Sequence, residues 1–143
     1  MVADRLSSAV VDLVSVALAE RTDSALVLGS EAGQRTLLPR IQSFIDERLG
    51  DPELCPEMIA AAHHISTRYL YKLFRAEGCG VAEWIRGRRL ERCRADLLDP
   101  AARGRTAHAI ATRWGFTSPA HFTRIFRRAY GFPPGEFRIR NQG

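Results

Sequence analysis

The chain has 143 residues, of which 45% are hydrophobic, and a formal net charge of +5 at pH 7. This length and apolar content are enough for one domain with a proper core and a short appended segment. Every apolar run is far shorter than the ~20 residues of a membrane span, and no targeting signal is evident, so we expect a cytoplasmic protein without membrane contact.

The chemistry-bearing residues argue against several classes of protein. Cys55, Cys79 and Cys93 are an odd number without a C-x-x-C pair, which disfavours a disulfide framework and fits a reducing compartment. His63 and His64 lie near Cys55, but their spacing matches no zinc site. No Ser/His/Asp set, phosphate-binding glycine loop or pair of buried carboxylates can be placed. We therefore expect no enzymatic activity, no metal and no cofactor.

Charge is distributed unevenly along the chain. Residues 1–35 contain three arginines and five acidic residues, a net charge of −2, so the remainder carries +7. Of the 21 basic residues, only Lys72 is a lysine. Arginine suits bidentate contact with phosphate or guanine, although a GC-rich genome would produce the same bias.

Residues 1–35 are predicted to form a helix followed by a linker. Residues 5–20 repeat apolar residues at helical spacing, which is typical of an amphipathic helix, and a second copy of the chain could pair through it. Residues 21–35 have no sustained period and contain two glycines, which is typical of a linker. We expect the domain boundary near Thr36.

Residues 36–143 are predicted to form an all-α domain built around a repeated pattern. The first copy is Ile59-Ala60-Ala61-Ala62-His63-His64-Ile65-Ser66, and the second, about 51 residues later, is Ile110-Ala111-Thr112-Arg113-Trp114-Gly115-Phe116-Thr117. In each copy a small alanine lets two helices approach closely, and Ser66 or Thr117 can cap the helix that follows. Gly115 can supply the positive φ that a tight turn needs. Each copy is typical of a helix-turn-helix.

The predicted elements of this domain follow in chain order. A first helix ends at Gly50-Asp51-Pro52, the first helix-turn-helix occupies about residues 56–76, a linker helix about 81–98 and the second helix-turn-helix about 106–130, before a short final helix. The first helix has an apolar stripe of Leu38, Ile41, Phe44, Ile45 and Leu49, and the side chains predicted to be buried in the later helices are Leu70, Leu73, Phe74, Trp84, Ile85, Leu90, Cys93, Leu97, Ile110, Trp114, Phe122, Phe126 and Tyr130. The linker-helix arginines Arg86, Arg88, Arg89, Arg92 and Arg94 are predicted to be mostly solvated, with some paired to neighbouring carboxylates.

The second half of the domain carries a family resemblance. From Gly115 to Arg138 it contains G-F-x-x-x-x-x-F-x-R-x-F and P-P-G-E-F-R strings, which resemble the signature of the AraC/XylS family of bacterial transcription regulators. Residues 86–98 resemble the family's linker helix, and the likeness covers roughly residues 37–140. It implies a sequence-specific regulator that binds double-stranded DNA in the bacterial nucleoid, with RNA polymerase or other regulators as further partners.

The resemblance also implies that two recognition helices enter successive major-groove segments on one face of the duplex. Major-groove segments on one face of straight DNA recur every ~34 Å along the duplex. The linker helix, at ~1.5 Å per residue, spans only about 25 Å. Either the duplex bends or only one helix inserts fully.

Three features depart from the usual family pattern. His64 stands at the first turn where many members have glycine, so positive φ has a conformational cost there. The loop Glu77-Gly78-Cys79-Gly80 is one residue longer than usual. Only about 35 residues precede the domain, whereas members usually carry a sensing or dimerisation domain there, and residues 5–20 resemble the last helix of such a domain. We expect a fragment, a truncated frame or a member without a sensor.

Apolar spacing predicts which residues of the two recognition helices face outward, and these coincide with the positions that the resemblance assigns to base reading. The predicted base-reading residues are Arg68, Tyr71, Lys72, Ala120, His121, Thr123 and Arg124. Residues at the helix N-termini and flanking arginines are predicted to bind phosphate. The predicted phosphate-binding residues are Ser66, Thr67, Arg75, Thr117, Ser118, Arg127, Arg128 and Arg138.

Two other functions compete with DNA reading. The chain could be a helical module that binds another protein through residues 5–20, or an enzyme that uses this fold to target DNA, as alkyl-transfer repair proteins do. The enzyme would need a reactive cysteine in a P-C-x-x pocket, which the sequence does not contain.

Overall fold

The computed structural model describes residues 31–142, so the helix predicted for residues 5–20 lies outside the described residues. Within the described part, all regular elements are helical, which confirms the all-α prediction. The helices are α1 (Glu31–Glu47), α2 (Pro56–Ala62), α3 (Thr67–Arg75), α4 (Val81–Leu98), α5 (Ala107–Arg113), α6 (Pro119–Tyr130) and α7 (Pro134–Gln142), with a 3-10 turn at Pro100–Ala102. None of them is long and apolar enough to cross a membrane.

The predicted linker is too long at its C-terminal end, because α1 begins at Glu31 and residues 31–35 are helical. Those residues are polar or small and have no apolar period, so the hydrophobic pattern that locates a packed helix could not detect them. Pro39 lies inside α1, where it removes one backbone hydrogen bond of the helix. The domain boundary near Thr36 therefore falls within a helix.

The described helices divide into two compact units. The first contains α1 as far as Asp46 together with residues 54–83, and the second contains residues 47–53 and everything from Trp84 onward. The division passes through α1 and α4, so each of these helices contributes residues to both units.

The first unit has a core of aliphatic residues with one phenylalanine and one tyrosine, Phe74 and Tyr69. Helix α3 buries Leu70, Leu73 and Phe74 on one side, as the spacing predicted, and packs against α2. The other buried aliphatic residues of this unit are Ile41, Ile45, Leu54, Ile59 and Val81.

The second unit is built on aromatic packing. Phe122 and Phe126 of α6 have ring centroids 5.6 Å apart, and Phe126 meets Phe137 of α7 edge to face at 5.3 Å. Leu90, Cys93 and Leu97 of α4 and Ile110 of α5 complete the cluster. Burial raises the pKa of the Cys93 thiol to about 12, so it stays neutral and behaves as the small hydrophobic residue that was predicted.

Three predicted core aromatics are only half-buried. The ring of Trp84 lies under the Arg88 guanidinium at 5.5 Å, and Tyr130 lies under Arg94 at 5.6 Å. Trp114 is partly covered and hydrogen-bonded to Asp96. These residues were predicted on the buried side and are only partly covered, because large rings with a polar handle commonly lie at the edge of a core beneath a cationic side chain.

Candidate nucleic-acid interface

The two predicted turns have the same backbone geometry. In the first, Ile65 N–H donates to Ala60 C=O at 3.0 Å and His64 N–H donates to Ala61 C=O at 3.2 Å. In the second, the corresponding bonds run from Phe116 to Ala111 at 3.0 Å and from Gly115 to Thr112 at 3.1 Å. This pair of bonds is the Schellman motif, which ends a helix by placing one residue at positive φ.

His64 and Gly115 are the residues at positive φ. Their φ angles are 56° and 91°, as the sequence predicted for each turn. A left-handed conformation is ordinary for glycine and costly for a residue with a Cβ. Ala60 and Ala111 are both buried at the equivalent positions, where their small side chains permit close helix contact.

A serine caps each recognition helix. The Ser66 hydroxyl accepts a hydrogen bond from Tyr69 N–H at 3.0 Å, which confirms the predicted cap of α3. Thr117 was expected to cap α6, but Ser118 does so, accepting from His121 N–H at 3.2 Å. Pro119 explains the shift, because proline favours the first helical position and Ser118 directly precedes it.

All seven predicted base-reading side chains are exposed. On α3, Arg68, Tyr71 and Lys72 are exposed while Leu70 and Phe74 are buried. On α6, the exposed members are Ala120, His121, Thr123 and Arg124. The helical spacing therefore separated the outward side from the core correctly in both units.

Most of the predicted phosphate-binding residues are also accessible. Ser66, Arg75, Thr117, Ser118, Arg127 and Arg128 are exposed, and Thr67 is half-buried. Neither α3 nor α6 contains an aspartate or glutamate, although α3 carries three basic residues and α6 carries three arginines. Each exposed helix surface is therefore positively charged without an acidic residue of its own helix to offset it.

Arg138 is different from the other predicted phosphate ligands. Its guanidinium donates to the backbone carbonyls of Leu97, Ala102 and Arg105, with the Ala102 bond at 3.0 Å. The side chain is half-buried and ties α7 to the segment between α4 and α5. Arg138 is therefore not proposed as a phosphate ligand, because its guanidinium is bonded to three backbone carbonyls of the second unit.

Arg89 was expected on the solvated side of α4, but it is half-buried and hydrogen-bonded. Its Nε donates to Leu49 C=O at 2.9 Å and its Nη2 donates to Asp51 C=O at 2.7 Å. Burial lowers the pKa of Arg89, and the charge of Asp51 opposes that shift. The sequence did contain an indication, since Arg89 interrupts the i, i+4 row Ile85, Cys93 and Leu97, all of which are buried.

Asp96 makes a second contact of α4 with the turn region. Its carboxylate accepts from Trp114 Nε1 at 2.8 Å and pairs with Arg113 at 3.5 Å. The indole of Trp114 also has the guanidinium carbons of Arg113 and Arg92 at 5.2 Å and 5.7 Å from its ring. Another expected ion pair of α4, Arg88 with Glu91, is present at 2.7 Å.

No group of three or more possible metal ligands occurs among residues 31–142. Two capped helices bear on function in the described residues. Each follows a Schellman turn and carries an exposed basic surface. A fold of this kind defines a double helix-turn-helix protein.

Comparison with known proteins identifies the family. Residues 59–140 match the model of a helix-turn-helix domain family, and the chain belongs to that family in its AraC-type form. This confirms the resemblance found in the sequence. A curated relative, the transcriptional activator NphR of Rhodococcus, is 35% identical over 133 residues, which is 92% of this chain and 38% of NphR. The chain thus spans about two-fifths of the length of that relative.

Solved structures share the fold. An AraC-type transcriptional regulator from Chromobacterium violaceum is 26% identical with a TM-score of 0.68, covering 78% of this chain and 96% of that structure. The DNA-binding domain of AdpA, solved in complex with a target DNA, is 25% identical with a TM-score of 0.66, covering 73% and 92% respectively. These relatives are named as regulators and not as enzymes.

Proposed function

We propose that this chain is a sequence-specific double-stranded-DNA-binding regulator of transcription, in which α3 and α6 are the recognition helices. The observation that carries the proposal is the pair of matching Schellman turns, each leading into a capped helix with an exposed surface free of acidic residues. A helix presented after such a turn can lie in the major groove. The names of the relatives as transcriptional activators and regulators support the regulatory part.

The exposed side chains suit the base edges of the major groove. Arg68 and Arg124 can each donate two hydrogen bonds to O6 and N7 of guanine. Lys72 and His121 can donate to a single acceptor, and the methyl groups of Thr123 and Ala120 can contact thymine. Tyr71, which is 44% exposed, completes the proposed reading surface of α3.

Phosphate binding is proposed at the start of each recognition helix and along its flank. The N–H groups at the first turn of a helix point toward an anion, and the helix dipole favours it. Ser118 Oγ accepts from His121 N–H, which leaves its own O–H to donate to a phosphate oxygen. The proposed phosphate ligands are Ser66, Thr67, Arg75, Thr117, Ser118, Arg127 and Arg128.

The decisive experiment separates base reading from phosphate binding on α6. A consensus site is first selected from a random duplex pool with the full chain. Replacement of Arg124 by Ala should then cost about 1–3 kcal/mol on that site and relax preference at one or two base pairs. Arg127→Ala, three residues further along the same helix, should weaken all sequences alike and reduce the salt slope by roughly one unit.

Equal losses on specific and non-specific DNA for Arg124→Ala would contradict its assignment, and His121 or Thr123 would become the better candidates. If selection enriches no motif and binding does not depend on salt, the proposal of a DNA reader fails. A protein-binding module would then be the better description.

We further propose contact with RNA polymerase or other regulators, pairing of two copies through residues 5–20, and a location in the cytoplasm at the nucleoid.

The aligned stretch of NphR is longer than residues 31–143 of this chain, so the similarity extends into the first 30 residues. Removal of residues 1–30 leaves every described residue of α1 (Glu31–Glu47) in place. A loss of DNA affinity above about tenfold in the shortened chain would support pairing through residues 5–20, and an unchanged affinity would indicate that α3 and α6 bind DNA without it.

A further inference from the structure

The turn before α6 lies directly on an arginine and on another backbone segment. A Cβ built on Gly115 would be 2.6 Å from Leu49 O and 2.8 Å from Arg89 Cζ. A Cβ on Gly50 would be 2.8 Å from Arg113 O. The segment 49–51 and the turn 113–115 therefore meet backbone to backbone, at distances that only glycine permits.

Arg89 holds this contact from the side of α4. Its two hydrogen bonds end on Leu49 O and Asp51 O, on either side of Gly50, and its guanidinium lies against Gly115. Both acceptors are backbone carbonyls, so the planar fork of arginine fixes the segment through two bonds of defined direction.

Asp96 holds the same turn from a second point. It lies seven residues after Arg89 on α4, which places both on one side of the helix. Through its bond to Trp114 Nε1, Asp96 anchors the residue just before Gly115. The turn is thus attached to α4 by one contact through its backbone and another through a side chain.

We infer that Arg89 and Asp96 are positioning residues, which fix the turn before α6 and thereby set the angle at which α6 meets a base pair. This inference rests on the proposed function of α6 as a recognition helix. A bidentate contact with a base depends on distances within a fraction of an ångström, so a small rotation of α6 reduces specificity before it reduces attraction to phosphate.

The test uses the full chain and the base-pair preferences found by random-pool selection. Arg89→Met keeps the side-chain length and removes every donor, and Arg89→Lys keeps the charge without the fork. Exposed Arg86 on the same helix gives the matched controls, Arg86→Met and Arg86→Lys. Specific and non-specific affinities are measured well below the melting temperature of each variant, with circular dichroism to verify helix content.

We expect Arg89→Met to lower the ratio of specific to non-specific affinity at least tenfold, with the loss confined to the base pairs that α6 reads, including those that Arg124→Ala relaxes. Arg89→Lys should recover part of the ratio, and both Arg86 variants should stay within about twofold of the wild type. Preference at base pairs read by α3 should remain, because Arg89 and the turn it holds belong to the other unit.

Asp96→Ala gives an independent measurement if Arg89→Met does not fold. It removes the acceptor of Trp114 and should reduce preference at the same base pairs. Folded variants with the wild-type ratio, or with equal losses on all DNA, would overturn the positioning inference and leave the proposed function intact. If the wild-type chain itself selects no motif, it is the proposed function that fails.

Discussion

The first helix-turn-helix has His64 where the second has Gly115, although the two turns make the same backbone hydrogen bonds. His64 is exposed, so its side chain extends into solvent and only the backbone conformation is unfavourable. Gly115 is buried, and a side chain there would collide with Leu49 O and Arg89. At the first turn, glycine would be favoured only because of the backbone angle. At the second turn, glycine is also required by the packing of neighbouring atoms.

The residue before the positive-φ position differs in the same way. The His63 ring nitrogen Nδ1 lies 2.8 Å from the carbonyl oxygen of Ile59 in its own helix, and the ring packs edge-on against Phe44. Trp114 instead donates to Asp96 on α4, 18 residues earlier in the chain. His63 thus combines a hydrogen bond within its own helix with a ring contact to α1, whereas Trp114 attaches the second turn to the linker helix.

The largest expected effect is that of a methyl group at the second turn. Gly115→Ala combines the strain of positive φ with overlap against backbone, and should destabilise the chain by about 3 kcal/mol or more. Gly131→Ala is the control, because Gly131 has a φ of 89° and open space around its Cβ position. That variant should lose only about 1–2 kcal/mol. Denaturant unfolding measures both, and equal losses would mean that packing adds nothing at Gly115.

Removal of the indole donor should come next. Trp114→Phe deprives the half-buried Asp96 carboxylate of its 2.8 Å hydrogen bond and should cost about 1.5–3 kcal/mol, as expected for a bond to a charged group. His63→Phe in the first turn loses a bond with a neutral carbonyl and should cost about 1 kcal/mol. Thermal and denaturant unfolding of the two variants compare the turns directly. A larger loss for His63→Phe would reverse the proposed order.

Alkaline pH should weaken the second unit through Cys93. Its pKa is raised from 9.0 to about 12 in the folded chain, mainly by burial, so the unfolded chain releases the thiol proton first. The free energy of unfolding that depends on the neutral Cys93 thiol is fully present below pH 9. It falls between pH 9 and pH 12 by about 1.4 kcal/mol per pH unit at most.

Cys93→Ala isolates this term, because Tyr130, whose pKa is also raised by burial, titrates in both proteins. The difference in unfolding free energy between wild type and variant should shrink by about 1.4 kcal/mol between pH 8 and pH 10. Parallel pH profiles of the two proteins would show that the buried thiol does not titrate on unfolding.

The smallest expected effect is a gain. His64→Gly relieves the left-handed backbone strain, partly offset by the greater entropy of glycine in the unfolded chain, and should stabilise by about 1 kcal/mol. His64→Ala keeps a Cβ at the same φ and should gain nothing. Unfolding midpoints distinguish the two, and a stabilising alanine would indicate that the imidazole itself, rather than the backbone angle, is unfavourable at this turn.

Sequence patterns predicted the elements whose limits are local. Helix α4 has the bounds Val81–Leu98, as expected, because Gly80 precedes it and Asp99-Pro100 follows it. The apolar spacing of α3 and α6 also assigned their exposed sides correctly. Local chemistry was sufficient for these bounds and exposed sides, but not for the start of α1 or the cap of α6, which is Ser118.

The prediction was incomplete where the partner is distant in the chain. Arg89 binds carbonyls 38 and 40 residues away, and Arg138 binds carbonyls 33 to 41 residues away. A charged side chain on a helix gives no indication of an acceptor at that separation, so both arginines were predicted to face solvent or phosphate. The DNA contacts of α3 and α6 remain predictions, since they depend on the bound duplex.

The bonds of Arg138 also affect the order in which the two units can complete their folding during synthesis. Phe137 belongs to the core of the second unit and Arg138 ties α7 to that unit, yet the ribosome adds both more than 50 residues after Glu83, the last residue of the first unit. Because domains generally fold as units in order of synthesis, the first unit can be complete while the second still lacks residues that close its core. Until α7 docks, Phe126 of α6 lacks its edge-to-face partner Phe137, so the core of the second unit is the last part of the described chain to be completed.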